Sequence, residues 1–215
     1  MHFEILVEDV SGKAALDVLV PKIIGSDNTF RVISYNGIGH IQKNMKSKTE
    51  ANKRILLDQL PRLLQGACKT FIKTNYPGAL VVVCDLDDKC LKAFREELLG
   101  VLNSCNPKPK AVFCIAVEEV EAWFLGDLPA IKRAYPNAKD KELRKYKNDS
   151  ICGIGERLAD ALFAGGAEQL KATHGVGAEK SKWAITITPH MDVETNKSPS
   201  FCYFRDKLRS LSYST

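Results

Sequence analysis

Four apolar runs of strand length organise the first 125 residues: 3–8 (FEILVE), 30–35 (FRVISY), 79–84 (ALVVVC) and 111–117 (AVFCIAV). Each is followed by a segment whose apolar positions recur at helical spacing, over about 11–24, 50–73 and 89–103, with a fourth helix opened by Glu118. Pro21 is expected to end or kink the first of these helices. Strands alternating with helices imply right-handed crossovers and an α/β fold, a mostly parallel sheet of about four core strands with helices on both faces. After Asp127 no further buried strand is apparent, and helical patterns take over at about 139–147, 153–164, 166–172, 178–188 and 200–211. The last begins SPSFCYF, with Ser198 as N-cap, Pro199 at the first helical position, and Phe201, Phe204, Leu208 and Leu211 on one stripe. The expected organisation is an α/β domain over 1–127 and a helical extension over 128–215 packed on it. At 215 residues and 45% hydrophobic, the chain has material for one full core.

The chemistry is concentrated where the strands end. The third run delivers Asp85 and Asp87 at its C-terminal end, two residues apart, so that on extended backbone both carboxylates face one side. The first run ends in Glu8 and Asp9, and the fourth leads into EEVEAWFLGD, where Glu118 and Glu121 are spaced i, i+3 on one helix face and Glu119 points elsewhere. Ligands of open α/β sheets bind beyond the carboxyl ends of the strands. Carboxylates crowded there repel one another, and a shared hard cation such as Mg²⁺ relieves that repulsion. A plainer account competes for each acid alone: Asp87 or Asp88 capping a helix that starts near Lys89, or Glu118 and its neighbours suiting the positive end of a helix. Three acidic strand ends in one sheet favour a site.

The net charge of +5 is unevenly placed. Residues 43–54 carry Lys43, Lys46, Lys48, Lys53 and Arg54 against Glu50, and residues 132–147 carry seven basic side chains against Asp140 and Glu142. Such clusters either track a phosphate backbone or form solvated helix faces, and salt dependence distinguishes the two. Seven cysteines without a C-x-x-C pair fit free thiols rather than a zinc site or a disulfide framework. No apolar run approaches the ~20 residues of a membrane span, and no signal peptide is evident, so a cytoplasmic location is expected. Gly37 and Gly39 in YNGIGHIQKN form a turn beyond the second strand that lacks the third glycine of a dinucleotide fingerprint, with His40 beside it. His174 has no evident acid partner, and His190, Asp192 and Glu194 at alternate positions read as a polar loop in preference to a second metal site. There is no G-x-S-x-G elbow, Walker A loop or Cys–His signature.

Glu8 in ILVED, Gly37 and Gly39 in YNGIG, and Asp85 and Asp87 in VVVCDLDD, each at the end of its strand, together resemble the Toprim superfamily. This is the small α/β domain of topoisomerases, bacterial primases, recombination-repair proteins and OLD-type nucleases. The EEVEAWFLGD segment and the closing SPSF are similar to small Toprim-related proteins encoded beside ABC- or AAA-type ATPases in bacterial defence and mobile regions, so the resemblance covers nearly the whole chain. It implies that Glu8 is the general acid/base and sometimes a metal ligand, and that Asp85 and Asp87 bind Mg²⁺ or Mn²⁺. It also implies that Glu121, or Glu118 in its place, supplies the extra acid of OLD-like nucleases. The departure is Asp9, where many Toprim sequences have glycine. The implied activity is metal-dependent phosphodiester hydrolysis of nucleic acid, a nuclease under control of a partner ATPase that docks on the helical region. Lys43, Lys46 and Lys89 are the expected nucleic-acid contacts, Lys89 being equally suited to plain exposure in a helix first turn. A non-catalytic, metal-binding or scaffold subunit of an ATPase complex is the alternative, with homo-oligomers left open. Phosphotransfer of the haloacid-dehalogenase type, which also uses D-x-D, is disfavoured because Lys89 stands where that family needs a hydroxyl.

Overall fold

The computed structural model describes residues 1–41, 53–74, 77–150 and 153–213. Its centre is a sheet of four strands, β1 (His2–Val7), β2 (Thr29–Ser34), β3 (Gly78–Asp85) and β4 (Ala111–Ala116), all parallel and ordered β2-β1-β3-β4. The register sets Val7 beside Ser34 and Val83, and Asp85 beside Ala116, so the strand ends form one continuous edge. The chain runs from β1 outward to β2 and then crosses back over β1 to β3. The order therefore reverses between β1 and β3, the switch point where a crevice opens in sheets of this type.

Alternation along the strands divides the core in two. Phe3, Ile5 and Val7 of β1 and Ala79, Val81 and Val83 of β3 face one side, where α1 (Val10–Ile24) covers them. Leu6, Leu80, Val82 and Cys84 face the other, under α2 (Leu56–Thr74) and α3 (Leu91–Asn103). The fold is thus α/β with helices on both faces. α1 runs through Pro21 to Ile24, so the proline does not end the helix.

The fourth strand is not followed directly by a helix, contrary to expectation. Glu118 has φ of +65°, breaking the backbone path, and only the four-residue α4 (Ala122–Leu125) forms before α5 (Leu128–Ala134). Asp127 caps α5, its Oδ1 accepting from Ala130 N–H at 3.0 Å, a helix the apolar spacing did not disclose. The remaining α-helices among the described residues are α6 (Asp140–Leu143), α7 (Ile154–Leu162), α8 (Gly166–Thr173), α9 (Val176–Ile187), which runs on into a 3-10 turn over Thr188–His190, and α10 (Pro199–Ser212). Ser198 caps α10, its Oγ accepting from Phe201 N–H at 3.2 Å. Phe201, Phe204 and Leu208 are fully buried in the same cluster as β1 and β3, and Trp123 stacks on Phe204 at 5.1 Å. The C-terminal helices therefore share one core with this face of the sheet. Among the described residues no helix is long and apolar enough to cross a membrane.

Candidate active site

Glu8 directly follows β1 and Asp85 ends β3, the two adjacent strands at the switch point. The Asp85 N–H donates to Glu8 Oε2 at 3.3 Å, which holds the two carboxyls side by side. Asp85, 7% exposed, accepts the Val120 N–H on Oδ1 at 3.0 Å, which ties the segment after β4 to the end of β3. Burial pushes the Glu8 carboxyl above the usual range, the nearby charges of Asp87 and Asp9 add to the shift, and the Asp85 N–H works against it. Asp85 is pushed well above its ordinary value, first by burial and then by Glu8, Glu121 and Glu119, with Lys180 opposing. Two carboxyls held this way retain a proton more readily than either would alone.

Asp9 caps α1: its Oδ1 accepts the Gly12 N–H at 2.7 Å and its Oδ2 the Ser11 hydroxyl at 2.7 Å. A Cβ on Gly12 would lie 2.6 Å from Val7 Cγ2, so the close approach of helix to strand end uses a glycine at 12 rather than directly after Glu8. The glycine turn after β2 also closes on this edge. Gly37, at φ +108°, donates its N–H to the Glu8 carbonyl at 2.8 Å, and His40 N–H donates to Asp58 at 2.9 Å.

Asp87 is placed differently from expectation. β3 ends at Asp85, and Asp87 sits in the following turn at φ +50°, exposed, with Oδ2 accepting from Lys89 Nζ at 2.8 Å. Strand alternation therefore does not extend to it, although it is near enough to raise Glu8. Neither Asp87 nor Asp88 caps α3, whose N-cap is Cys90. Lys89 also lies over the Phe94 ring at 5.3 Å.

Beyond β4 the acids part company in a way the i, i+3 spacing did not anticipate. Glu118 turns to α7, accepting the Ile154 N–H on Oε1 at 2.8 Å. Glu121, 2% exposed, instead joins Glu119 and Asp85 around Lys180 of α9. Lys180 Nζ lies 2.6 Å from Glu119 Oε1 and 3.9 Å from Glu121 Oε2, while the Ser11 hydroxyl donates to Glu121 Oε1 at 3.2 Å. Burial raises Glu121 to about 7, with Glu119 and Asp9 adding to the rise and Lys180 opposing it. Burial disfavours the Lys180 ammonium, yet the surrounding carboxylates hold its pKa above the ordinary value. Glu119, Lys180, Ser11 and the capping role of Asp9 are the parts of this site that the strand-end pattern did not reveal.

The donor chemistry suits a hard divalent cation. The oxygens are all carboxylate, and Glu119 Oε2 is buried without a hydrogen-bond partner among the described residues. As the side chains stand, no three Asp, Glu, His or Cys groups among the described residues are placed to hold an ion between them.

Several of the other candidates have local partners. His174 pairs with Glu179 at 2.6 Å, an acid partner not foreseen from sequence. The His190 carbonyl accepts from Arg133, the Asp192 N–H donates to Asp127, and Glu194 pairs with Arg209, so this stretch is a polar loop. In the 132–147 cluster, Lys132 and Lys139 donate to the carbonyls of Ala138 and Phe163, and Lys145 pairs with Glu142. Lys43 and Lys46 lie outside the described residues. Comparison with family models, curated proteins and solved structures gives no match to this chain.

Proposed function

We propose that the protein hydrolyses phosphodiester bonds in nucleic acid with the aid of Mg²⁺ or Mn²⁺ at Glu8, Asp85 and Asp87, in the manner of a Toprim nuclease. The observation that carries this reading is the meeting of Glu8 and Asp85 at the crevice between β1 and β3, with Asp87 beside them on the rim. When bound, the cation supplies charge to offset the scissile phosphate and lowers the pKa of a coordinated water. Asp85, fixed by the Val120 N–H, orients the donors. Glu8 carries the proton: its carboxylate takes one from the attacking water and returns it to the leaving oxygen, a role that burial assists by raising its affinity for a proton. Lys89, on the same rim, is suited to contact a phosphate once it exchanges Asp87 for the ligand.

A second reading, a non-catalytic subunit of an ATPase complex, is favoured by one observation. Lys180 already supplies a cation within the inner carboxylates, and no three-donor arrangement is formed among the described residues. Incubation of the purified chain with plasmid and single-stranded nucleic acid in millimolar Mn²⁺, alone and with the neighbouring ATPase, separates the two. Cleavage lost in Asp85→Asn supports the nuclease; no cleavage under any of these conditions, with wild type and Asp85→Asn equally stabilised by metal, refutes both metal and catalysis at this site. A nuclease dependent on its partner cleaves only when the ATPase is added.

A further inference from the structure

β4 is an edge strand. The Leu80 N–H donates to the Lys110 carbonyl and the Leu86 N–H to the Ala116 carbonyl, each at 2.9 Å, with Leu80 opposite Ala111 in the register. In a parallel ladder this turns both backbone groups of the even-numbered β4 residues toward β3 and those of Ala111, Phe113 and Ile115 outward. Natural sheets ordinarily cover or charge such an edge, because its unpaired groups template another strand. Here the edge faces a groove of about 710 Å³ between α3 and α10, floored by Phe113 and Ile115. On its α3 side Leu91 and Leu99 remain 45% and 37% exposed. Tyr203 of α10 lines the opposite side, with Arg95 at 5.8 Å and Lys207 at 5.3 Å from its ring centre.

We propose that this groove binds an extended segment of a partner protein, alternating apolar and acidic residues, as a fifth strand paired to β4. Backbone pairing provides the docking, and the two walls select the side chains. Successive residues of a strand point to opposite faces, so one set lies against Leu91, Leu99, Phe113 and Ile115 and the other against Tyr203 with its cations. Charge decides the second set. Lys92 and Arg95 line the groove and Lys207 stands over the Tyr203 ring, whereas of its two lining acids Asp149 is occupied, Oδ1 by the Ser198 hydroxyl and Oδ2 by the Ser200 N–H, which leaves Glu96. The same cations argue against a second copy of this chain, since edge-to-edge pairing about a two-fold axis would bring them face to face. The inference does not rest on the phosphodiester reading.

The test uses the full-length protein and two fluorescein-labelled synthetic peptides of about eight residues, long enough to span β4, one alternating valine with glutamate and one alternating valine with lysine. Fluorescence anisotropy should show the glutamate peptide bound, at least tenfold more tightly than the lysine peptide. The double variant Lys92→Glu plus Arg95→Glu, on the exposed face of α3, should reverse that order. Amide hydrogen exchange should slow at Phe113 and Ile115 on binding, because their N–H groups point outward, while Val112 and Cys114 stay as protected as before. Three results overturn the proposal: absence of binding, equal binding of both peptides, or binding without protection at Phe113 and Ile115. A free protein that sediments as a dimer with those two amides already protected would replace the partner strand by a second copy.

Discussion

Replacing Glu121 by glutamine should remove a pH-dependent penalty from folding stability. Glu121 is buried, and its pKa is raised from 4.5 to about 7, with burial as the largest cause. An acid whose folded value lies above its unfolded value binds more protons in the native state between the two. Its contribution is therefore most favourable below about pH 4.5 and is lost as pH rises through about 7. The difference, 7 − 4.5, is 2.5 units, which at 1.36 kcal/mol per unit gives a penalty of about 3 kcal/mol once the group is ionised. Glutamine preserves the shape and still accepts the Ser11 hydroxyl, but has no charge to desolvate. Urea denaturation in EDTA, at intervals from pH 4.5 to 8, measures the effect. Glu8 and Asp85 are raised as well and cause both proteins to lose stability over this range, so the difference between the two curves isolates Glu121 to first approximation. Glu121→Gln should gain on the wild type by about 3 kcal/mol across the range. A constant difference would falsify the assignment of a buried, ionising carboxyl at this position.

Lys180→Met should cost about 2–3 kcal/mol, less than a fully buried pair because the lysine side chain is 20% exposed, and the loss should be larger at pH 8 than at pH 5, where Glu121 is protonated. Equal losses at both pH values in urea titrations would remove Lys180 from its role as counter-ion. Phe204→Ala should cost about 3–5 kcal/mol by opening a cavity beneath the Trp123 ring, followed through tryptophan fluorescence on denaturation; a loss under 1 kcal/mol would mean that α10 does not share the core. Ser198→Ala should cost about 1–2 kcal/mol of thermal stability, at the upper end because Ser198 Oγ also donates to Asp149; an unchanged melting temperature would discount the cap.

The readable part of this chain is the part set by backbone periodicity. Four apolar runs flanked by helical spacing suffice for a parallel sheet, since strands buried on both faces need crossover helices to cover them. The acids at the ends of β1 and β3 were legible for the same reason: once the strands are parallel, their C-terminal ends share an edge, and the order β2-β1-β3-β4 makes Glu8 and Asp85 neighbours. Asp87 and Glu118 depart from the strand and helix spacing because each takes a positive φ, at +50° and +65°, which no spacing rule for strand or helix anticipates. The i, i+3 pairing of Glu118 with Glu121 and the outward placing of Glu119 fail for a related reason, while Glu121 does lie beside Asp85. With the backbone turned at Glu118, Glu118 reaches α7, while Glu119 and Glu121 join the cluster inside.

The signal that points to that cluster lies sixty residues away in sequence. Trp183, Ala184 and Ile187 form the buried stripe of α9, and Lys180 stands at the i, i+3, i+4, i+7 position that begins it. A lysine on the apolar face of an amphipathic helix must either reach solvent or meet buried carboxylates. Here it meets Glu119 and Glu121, and together these three groups couple a helix of the C-terminal region to the acidic edge of the sheet. Any change that moves α9 would therefore act directly on the charge balance at Asp85, for which Lys180 is the opposing cation.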